Sequence, residues 1–341
     1  MNKRLILYSI PLCFLFFLGL YFYLIKGSWN IPFSQILQIF YEKLLQKNPT
    51  NSLATLVIFD SRLPRFLVAF LVGASLSITG CIMQSIFQNP MASPGITGTS
   101  AAAGCGAVLC IVFGWAQSFS WSIPLLSIIF ALGTLLFDYT LASSFGRTSS
   151  TTLLLIGIAL SLFFSSLVTF LLTISMRDWE VGKSIISWTL GELQDRRWEH
   201  VYIVATTFII GLSIILFFIR DLDLLIHGEE IALNLGVSVV RTRFFLLIAG
   251  ATLVGGAVGV SGMIGFIGLI IPHVSRILIG NNHKNLIFFS ILLGGVLLVY
   301  CDLLIRIFPS MDLRIGTVTG ILGSPYFIFL ILHQKKNSSM F

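Results

Sequence analysis

Long runs of apolar residues alternate along the chain with short polar intervals. A helix needs about twenty apolar residues to cross a hydrocarbon core of roughly 30 Å. Runs of this kind fall at 5–25, 66–87, 97–115, 122–142, 152–175, 200–219, 244–261, 264–280, 286–305 and 316–332. They are continuous rather than alternating, which excludes barrel strands. The pattern predicts an all-α integral membrane protein, one polytopic domain over 1–341 with about ten transmembrane helices.

The polar intervals carry the other expectations. In 28–61, Ser34 offers an N-cap, and Ile36, Leu37, Phe40 and Leu44 recur at helical spacing before Pro49. That predicts an amphipathic helix lying on the membrane face. Arg62-Leu63-Pro64-Arg65 opens the second span, with two guanidinium groups on one side of a helix start. They read either as headgroup anchors or as contacts for an acidic partner. Residues 88–98 predict a tight uncharged turn, broken by Pro90, Pro94 and Gly95. Small residues from Gly98 to Gly106 follow and permit close helix packing.

The interval 176–199 carries Trp179, Trp188 and Trp198, which read as an interface belt. Gly182-Lys183-Ser184 imitates the end of a phosphate-binding loop, but Arg177 stands where the required glycine would be, so no nucleotide site follows.

Residues 220–243 form a polar, helix-forming island between lipid-soluble rods. Such an island has little reason to exist unless something docks on it, and the expectation is that a motor protein grips it. An ordinary loop is the alternative. The spacing predicts a short helix over 228–236, bounded by Gly228 and Gly236, with Glu229 and Glu230 in its first turn. Ile231, Leu235 and Ala232 would form its apolar face.

Gly256, Gly259, Gly262, Gly265 and Gly268 recur every three residues. They predict a break near Gly262, which is tolerated at membrane depth only where protein or a water-filled path covers it. His273 lacks a second ligand at helical spacing and reads as a hydrogen-bonded structural histidine rather than a metal ligand. Asp302 and Arg306, four apart, read as a structural ion pair.

Composition sharpens this picture. Hydrophobic residues make up 56% of 341 and charged residues only 10%, against roughly 25% charged in soluble domains. The net charge of +7 is scattered between apolar runs and forms no stripe, so no nucleic-acid partner is expected. The five cysteines sit in or beside apolar runs without a C-x-x-C pair and read as packing residues. No cleavage site follows the first run, which reads as an uncleaved membrane helix. Basic residues divide almost equally between the two faces. Lys3 and Arg4 before the first span favour a cytoplasmic start, which puts the island in the cytoplasm and 28–61 outside. A rival class is an ion- or proton-coupled carrier using Asp138, Asp302 and His273. An intramembrane hydrolase lacks any serine–histidine or H-E-x-x-H constellation.

Several stretches together resemble the FecCD-type permeases, the membrane subunits of ATP-driven bacterial importers for ferric siderophores, haem and vitamin B12. They are Arg62–Arg65, Asn89-Pro90-Met91-Ala92-Ser93-Pro94-Gly95, Gly228-Glu229-Glu230 through Leu235-Gly236-Val237, and Ile264-Gly265-Phe266-Ile267-Gly268-Leu269 through Pro272-His273 and Arg276. Asp302 with Arg306, and Gly316 through Gly323 and Pro325, complete the set. The sequence departs from the family pattern at His227, Ser93, Met263, Asp312 and Arg314.

The resemblance implies a type II importer permease in a bacterial cytoplasmic membrane, paired with a second copy or a paralogue and with the pathway between them. It implies two ATPase subunits on the cytoplasmic face and a substrate-binding protein outside. This chain would hold no cofactor and no metal, because ATP and Mg²⁺ would belong to the ATPase. Gly228, Glu229, Glu230, Ala232, Leu235 and Gly236 would couple to the ATPase. Arg62, Arg65 and Arg314 would meet the binding protein. Pro94, Gly95, Gly262, Gly265 and Gly268 would line or gate the pathway, moving with 152–175 and 316–332. An uncharged, glycine-lined path suits a bulky solute better than a bare cation. Ferric siderophore is the first expectation, with haem and cobalamin as alternatives.

Overall fold

The computed structural model describes residues 3–27, 29–46, 50–144, 150–308, 311 and 313–338. Pro49 and Asp312 lie outside the described residues. The helices in chain order are α1 (Lys3–Ile25), α2 (Phe33–Leu44), α3 (Ser52–Leu56), a π-helical turn (Val57–Arg62) running into α4 (Leu63–Ile86), α5 (Thr99–Val112), α6 (Trp115–Ser118), α7 (Ser122–Ser144) and α8 (Ser150–Ser175). They continue as α9 (Trp179–Thr189), α10 (Trp198–Phe217), α11 (Ile219–Leu225), α12 (Glu229–Asn234), α13 (Val239–Ser261), α14 (Ile267–Ile279), α15 (His283–Ile307) and α16 (Ile315–Ser338). No strand occurs among the described residues.

Each of the ten predicted runs is mainly helical. Among the described residues, seven helices are long and apolar enough to cross a membrane. The α5 and α14 helices have 14 and 13 residues, about 20 Å of rise each, and need non-helical chain to complete a crossing. Non-helical chain precedes both, at 87–98 and 262–266, where the turn over 88–98 and the break near Gly262 were expected.

Burial divides the helices into a core and a shell. The most apolar stretches of α4, α13 and α15 are 83%, 78% and 67% buried, against 17% for α1 and α8. The core helices can sit inside because small side chains let backbones meet. A Cβ on Gly80 of α4 would overlap the carbonyl oxygen of Gly268 in α14. Hydroxyls within α4 satisfy themselves one turn back, Ser77 on the Gly73 carbonyl at 2.6 Å and Thr79 on the Ser75 carbonyl at 2.8 Å.

Outside the bundle, α2 departs from expectation in detail. Its cap position is Pro32, with Ser34 already inside the helix. Ile36 and Ile39 face the protein, whereas Leu37, Phe40 and Leu44 face outward. The apolar stripe is thus wider than the one foreseen, touching the chain on one edge and the surroundings on the other.

The contact between α4 and α14 yields a test. Gly80→Ala should lower stability by about 1–3 kcal/mol, because the added methyl meets backbone and cannot be accommodated by a rotamer change. Gly133→Ala, where a Cβ meets nothing within 4 Å, should leave the thermal midpoint of the detergent-solubilised protein unchanged.

Candidate functional site

The island folds as two short helices at one end of the bundle, here called the docking end. A small core of Leu225, Ala232, Val237 and Val239 holds α12 against α11 and the start of α13. Arg243, itself buried, makes an ion pair with Glu229, and Thr242 Oγ1 donates to Asp221 at 2.8 Å. Gln88 Nε2 donates to the Leu225 carbonyl at 2.9 Å, joining the island to the end of α4. The exposed residues of α12 are Glu229, Glu230, Ile231, Leu233 and Asn234, followed by Leu235, with the three apolar residues 50%, 57% and 60% exposed. Ala232 does not join that face: it is fully buried in its own chain and cannot contact a partner. An apolar cluster this open on a polar island is a candidate docking surface.

The opposite end is tied differently from expectation. Asp302 is paired with Arg65, not with Arg306. Arg65 Nε lies 2.9 Å from Oδ2 and Nη2 lies 2.7 Å from Oδ1, and the Tyr23 hydroxyl donates to Oδ2. A bidentate guanidinium plus a hydroxyl satisfies the carboxylate better than one neighbour on the same helix could. Arg306 instead caps α1, donating to the carbonyls of Tyr23 at 3.1 Å and Lys26 at 2.7 Å. Arg62 donates to the carbonyls of Leu24 and Trp29. The end of α1 leaves carbonyls without helical partners, and two arginines from other helices take them up. Arg62 is buried and Arg65 is 16% exposed, and both spend their donors on partners inside the chain, on the side where contacts for a binding protein were expected.

Arg314 is also engaged, with Nη1 2.6 Å from Glu192 Oε1. That pair belongs to a knot. Glu192 N donates to the Ser261 carbonyl at 2.8 Å, and Ile315 N and Gly316 N donate to the carbonyls of Gly191 and Leu190 at 3.3 and 2.9 Å. The segment after α9, the end of α13 and the start of α16 are bound together there. A cavity of about 590 Å³ lies against the knot, lined among others by Lys183, Trp188, Glu192, Arg196 and Arg314. Burial pulls the Arg196 guanidinium down to about 10 despite the nearby Glu192 and Asp195 carboxylates, and the Trp188 ring covers it at 5.5 Å. Trp198 donates to the Phe59 carbonyl at 2.9 Å. Of the three tryptophans read as a belt, only Trp179 stays exposed.

The expected gating residues come together in part. Pro94 is buried, and a Cβ on Gly268 would meet its ring and the Leu76 carbonyl. The Pro94 carbonyl, in non-helical backbone, accepts from Thr97 Oγ1 at 3.1 Å and Thr99 Oγ1 at 3.2 Å. Gly262 ends α13 at φ +69°, a conformation open to glycine and costly for other residues. Gly95 and Gly265 are exposed. Phe266 went unrecognised in the sequence. Its φ of +68° is strained for a bulky residue, and its side chain packs where a Cβ on Gly323 of α16 would stand.

The residues of a coupled carrier are not assembled. Asp138 is buried in α7 with Oδ1 unpartnered. Next to it Tyr139 packs on Phe244 near the docking end, whereas Asp302 belongs to the far end. Among the described residues no hydrogen bond engages the His273 ring; the buried, bonded histidine is His283, within 2.7 Å of both Asp223 and Ser85.

The arrangement is that of an all-helical membrane permease subunit with a docking helix at one end. Comparison with known proteins gives the family. The FecCD transport family matches residues 13–333, and the chain belongs to it. It is 34% identical over 312 residues to the molybdate import system permease protein MolB of Haemophilus influenzae, covering 91% of this chain and 90% of that protein. It is 37% identical over 309 residues to the hemin transport system permease protein HmuU of Yersinia pestis, covering 87% and 89%. A solved structure, described as an inward-facing conformation of a metal-chelate type ABC transporter, superposes with a TM-score of 0.83 at 31% identity, covering 95% of this chain and 98% of that one. The chain is accordingly an ABC importer permease of the metal-chelate type, in a system whose ATP hydrolysis is done by separate subunits.

The Arg65–Asp302 geometry makes a prediction. Asp302→Ala leaves a mostly buried guanidinium without its carboxylate and should cost about 3–5 kcal/mol. Arg65→Ala with Asp302→Ala should cost less than the two single changes added together. Thermal unfolding of the purified protein in detergent checks both.

Proposed function

We propose that this permease imports a ferric siderophore or similar iron complex across a bacterial cytoplasmic membrane, with haem or cobalamin as the alternative substrate. Hemin and molybdate in the relatives' names define a class of metal-bearing solutes rather than one substrate. The docking end faces the cytoplasm, as Lys3 and Arg4 ahead of α1 suggest. An ATPase subunit seats the exposed Ile231, Leu233 and Leu235 in a groove, and ATP and Mg²⁺ act there, in the partner. A substrate-binding protein meets the far end, where Lys183, Asp195 and Arg197 are exposed. A second copy or a paralogue covers α8 and α16. These helices expose Leu155, Leu162 and Phe163, and Ile321 and Leu322.

The single observation that carries this reading is the mounting of α12. Its outer face is open and apolar, while its inner face is fixed to α13 by Arg243–Glu229 and by Ala232. Motion of a gripped α12 therefore passes into α13, whose other end is the Gly262 break and the Glu192–Arg314 knot. The pathway changes access when that end and the start of α16 part or close. The likeness to an inward-facing structure agrees with a knotted far end.

Ile231→Asp with Leu235→Asp should abolish co-purification of the ATPase subunit, since two charges would be buried unpaired in the contact. The helical circular dichroism and thermal midpoint of the chain should not change, because both side chains are exposed. Retained ATPase binding would overturn the docking assignment. Binding of ferric siderophore, hemin, cobalamin and molybdate to the assembled complex would separate the substrates.

A further inference from the structure

Four polar residues that the docking contact does not use form a continuous chain just beneath it. Asp223 lies on α11, His283 opens α15, Ser85 is in the last turn of α4, and Arg276 is in the last turn of α14. Asp223 Oδ1 accepts from the His283 backbone N at 2.9 Å and sits 2.7 Å from His283 Nδ1. His283 Nε2 lies 2.7 Å from Ser85 Oγ. Arg276 Nη2 donates to the same Oγ at 3.2 Å. His283 is fully buried and Ser85 is 3% exposed. Behind them Cys81, Ser290 and Ser275 extend the polar contacts between α4, α15 and α14.

The order carboxylate, imidazole, hydroxyl is also that of a hydrolytic triad. Here the hydroxyl is buried and lies 2.8 Å from the Cys81 carbonyl inside α4. The surrounding backbone N–H groups are spent within that helix, so no pair of donors faces Ser85 as an oxyanion hole would require. Positional coupling is the reading that fits. A carboxylate facing Nδ1 fixes a proton there. Nε2 then either accepts from Ser85 or donates to it, and the chain stays unbroken in both cases. Burial alone would raise the Asp223 carboxyl, but the hydrogen bonds from His283 hold it below its ordinary range. It therefore stays an ionised acceptor.

We propose that Asp223, His283, Ser85 and Arg276 are positioning residues that form a second transmission route, carrying motion of the docking unit α11–α12 into α4 and α14. The first route is the covalent one along α13. The second reaches α14 directly, and α14 leads back to the strained Phe266. Without it, α12 could swing with α13 while α14 stayed in place, and a nucleotide cycle would run without moving the gate. The proposal rests on the docking reading given above.

The test uses the permease assembled with its ATPase in lipid vesicles. Cys13, the one exposed cysteine among those described, is replaced by serine. A spin label is placed at Ile277→Cys, which is 65% exposed on α14, and label mobility and spacing are read with ADP, with ATP and Mg²⁺, and with vanadate-trapped nucleotide. Ser85→Ala removes only a hydroxyl and preserves the fold. His283→Asn keeps a donor towards Asp223, and His283→Gln keeps one towards Ser85. In a relay all three should reduce the nucleotide-dependent label response by about fivefold or more, while ATP turnover stays within about twofold, and Ser85→Ala added to His283→Asn should add nothing further. A merely structural role would lower turnover and label response together, in proportion to lost assembly. If the label moves fully in every variant while the ATPase stays bound, the relay is wrong and docking stands. If no ATPase assembles with the unmodified chain, docking and relay both fall.

Discussion

Hydrocarbon offers no partner for an unpaired carbonyl or amide, and the non-helical stretches that precede the short helices α5 and α14 show how that demand is met. At 87–98, Thr97 and Thr99 turn their hydroxyls back onto the Pro94 carbonyl, and Gly268 lets α14 lie against the proline ring. At 262–266, the Ser261 carbonyl is taken by Glu192 N, and the start of α16 pairs with Leu190 and Gly191. The first break is closed largely by its own residues and the second by neighbouring segments. Movement of α16 must exchange the hydrogen bonds at Leu190 and Gly191 for others.

The same demand explains the arginines at the far end. The last carbonyls of α1 have no helical partners, and Arg62 and Arg306 supply donors from the π-helical turn before α4 and from α15. Arg65 and Asp302 neutralise each other beside them. The far ends of α1, α4 and α15 are therefore clamped together, while those of α13 and α16 are joined through a partly exposed pair, Glu192–Arg314. The carboxylates differ most, Glu192 being 24% exposed against 1% for Asp302, while their arginines are equally shielded at 15% and 16%. The more solvated pair is the easier to part, because solvent screening weakens an ion pair and breaking a buried one is costly.

Sequence pattern carried the elements that depend on local chemistry. The ten apolar runs, the helix between Gly228 and Gly236 and the break at Gly262 were all legible, because apolar periodicity and glycine punctuation act within a few residues. What failed to show were pairings between distant segments. Asp302 and Arg306 have ion-pair spacing, yet Arg65 lies 237 positions away and has the better geometry. His273 stands in a motif and looked structural, while His283, outside any motif, is the histidine that is bonded on both ring nitrogens. Ala232 and Ile231 are neighbours of similar polarity, and only tertiary packing turns one in and the other out. Phe266 carried no signal beyond its place among glycines.

This division between local and distant determinants bears on how a lever can work in a membrane. A helix gripped at α12 is stiff along α13 because the backbone ladder is continuous from Val239 to Ser261. Stiffness along one helix moves that helix first, because each apolar contact with its neighbours is individually weak. Polar contacts in a low-dielectric interior do favour one, because each donor and acceptor must be satisfied where it stands. The docking unit meets the bundle through such contacts, Gln88 with the Leu225 carbonyl and Asp223 with His283. They fix its position relative to α4 and α15, so that under the proposed docking a swing of one rod would be shared by the core. Apolar packing of α4 against α14 through Gly80 and Gly268 then leaves little slack between the displaced helices and the broken segments at the far end.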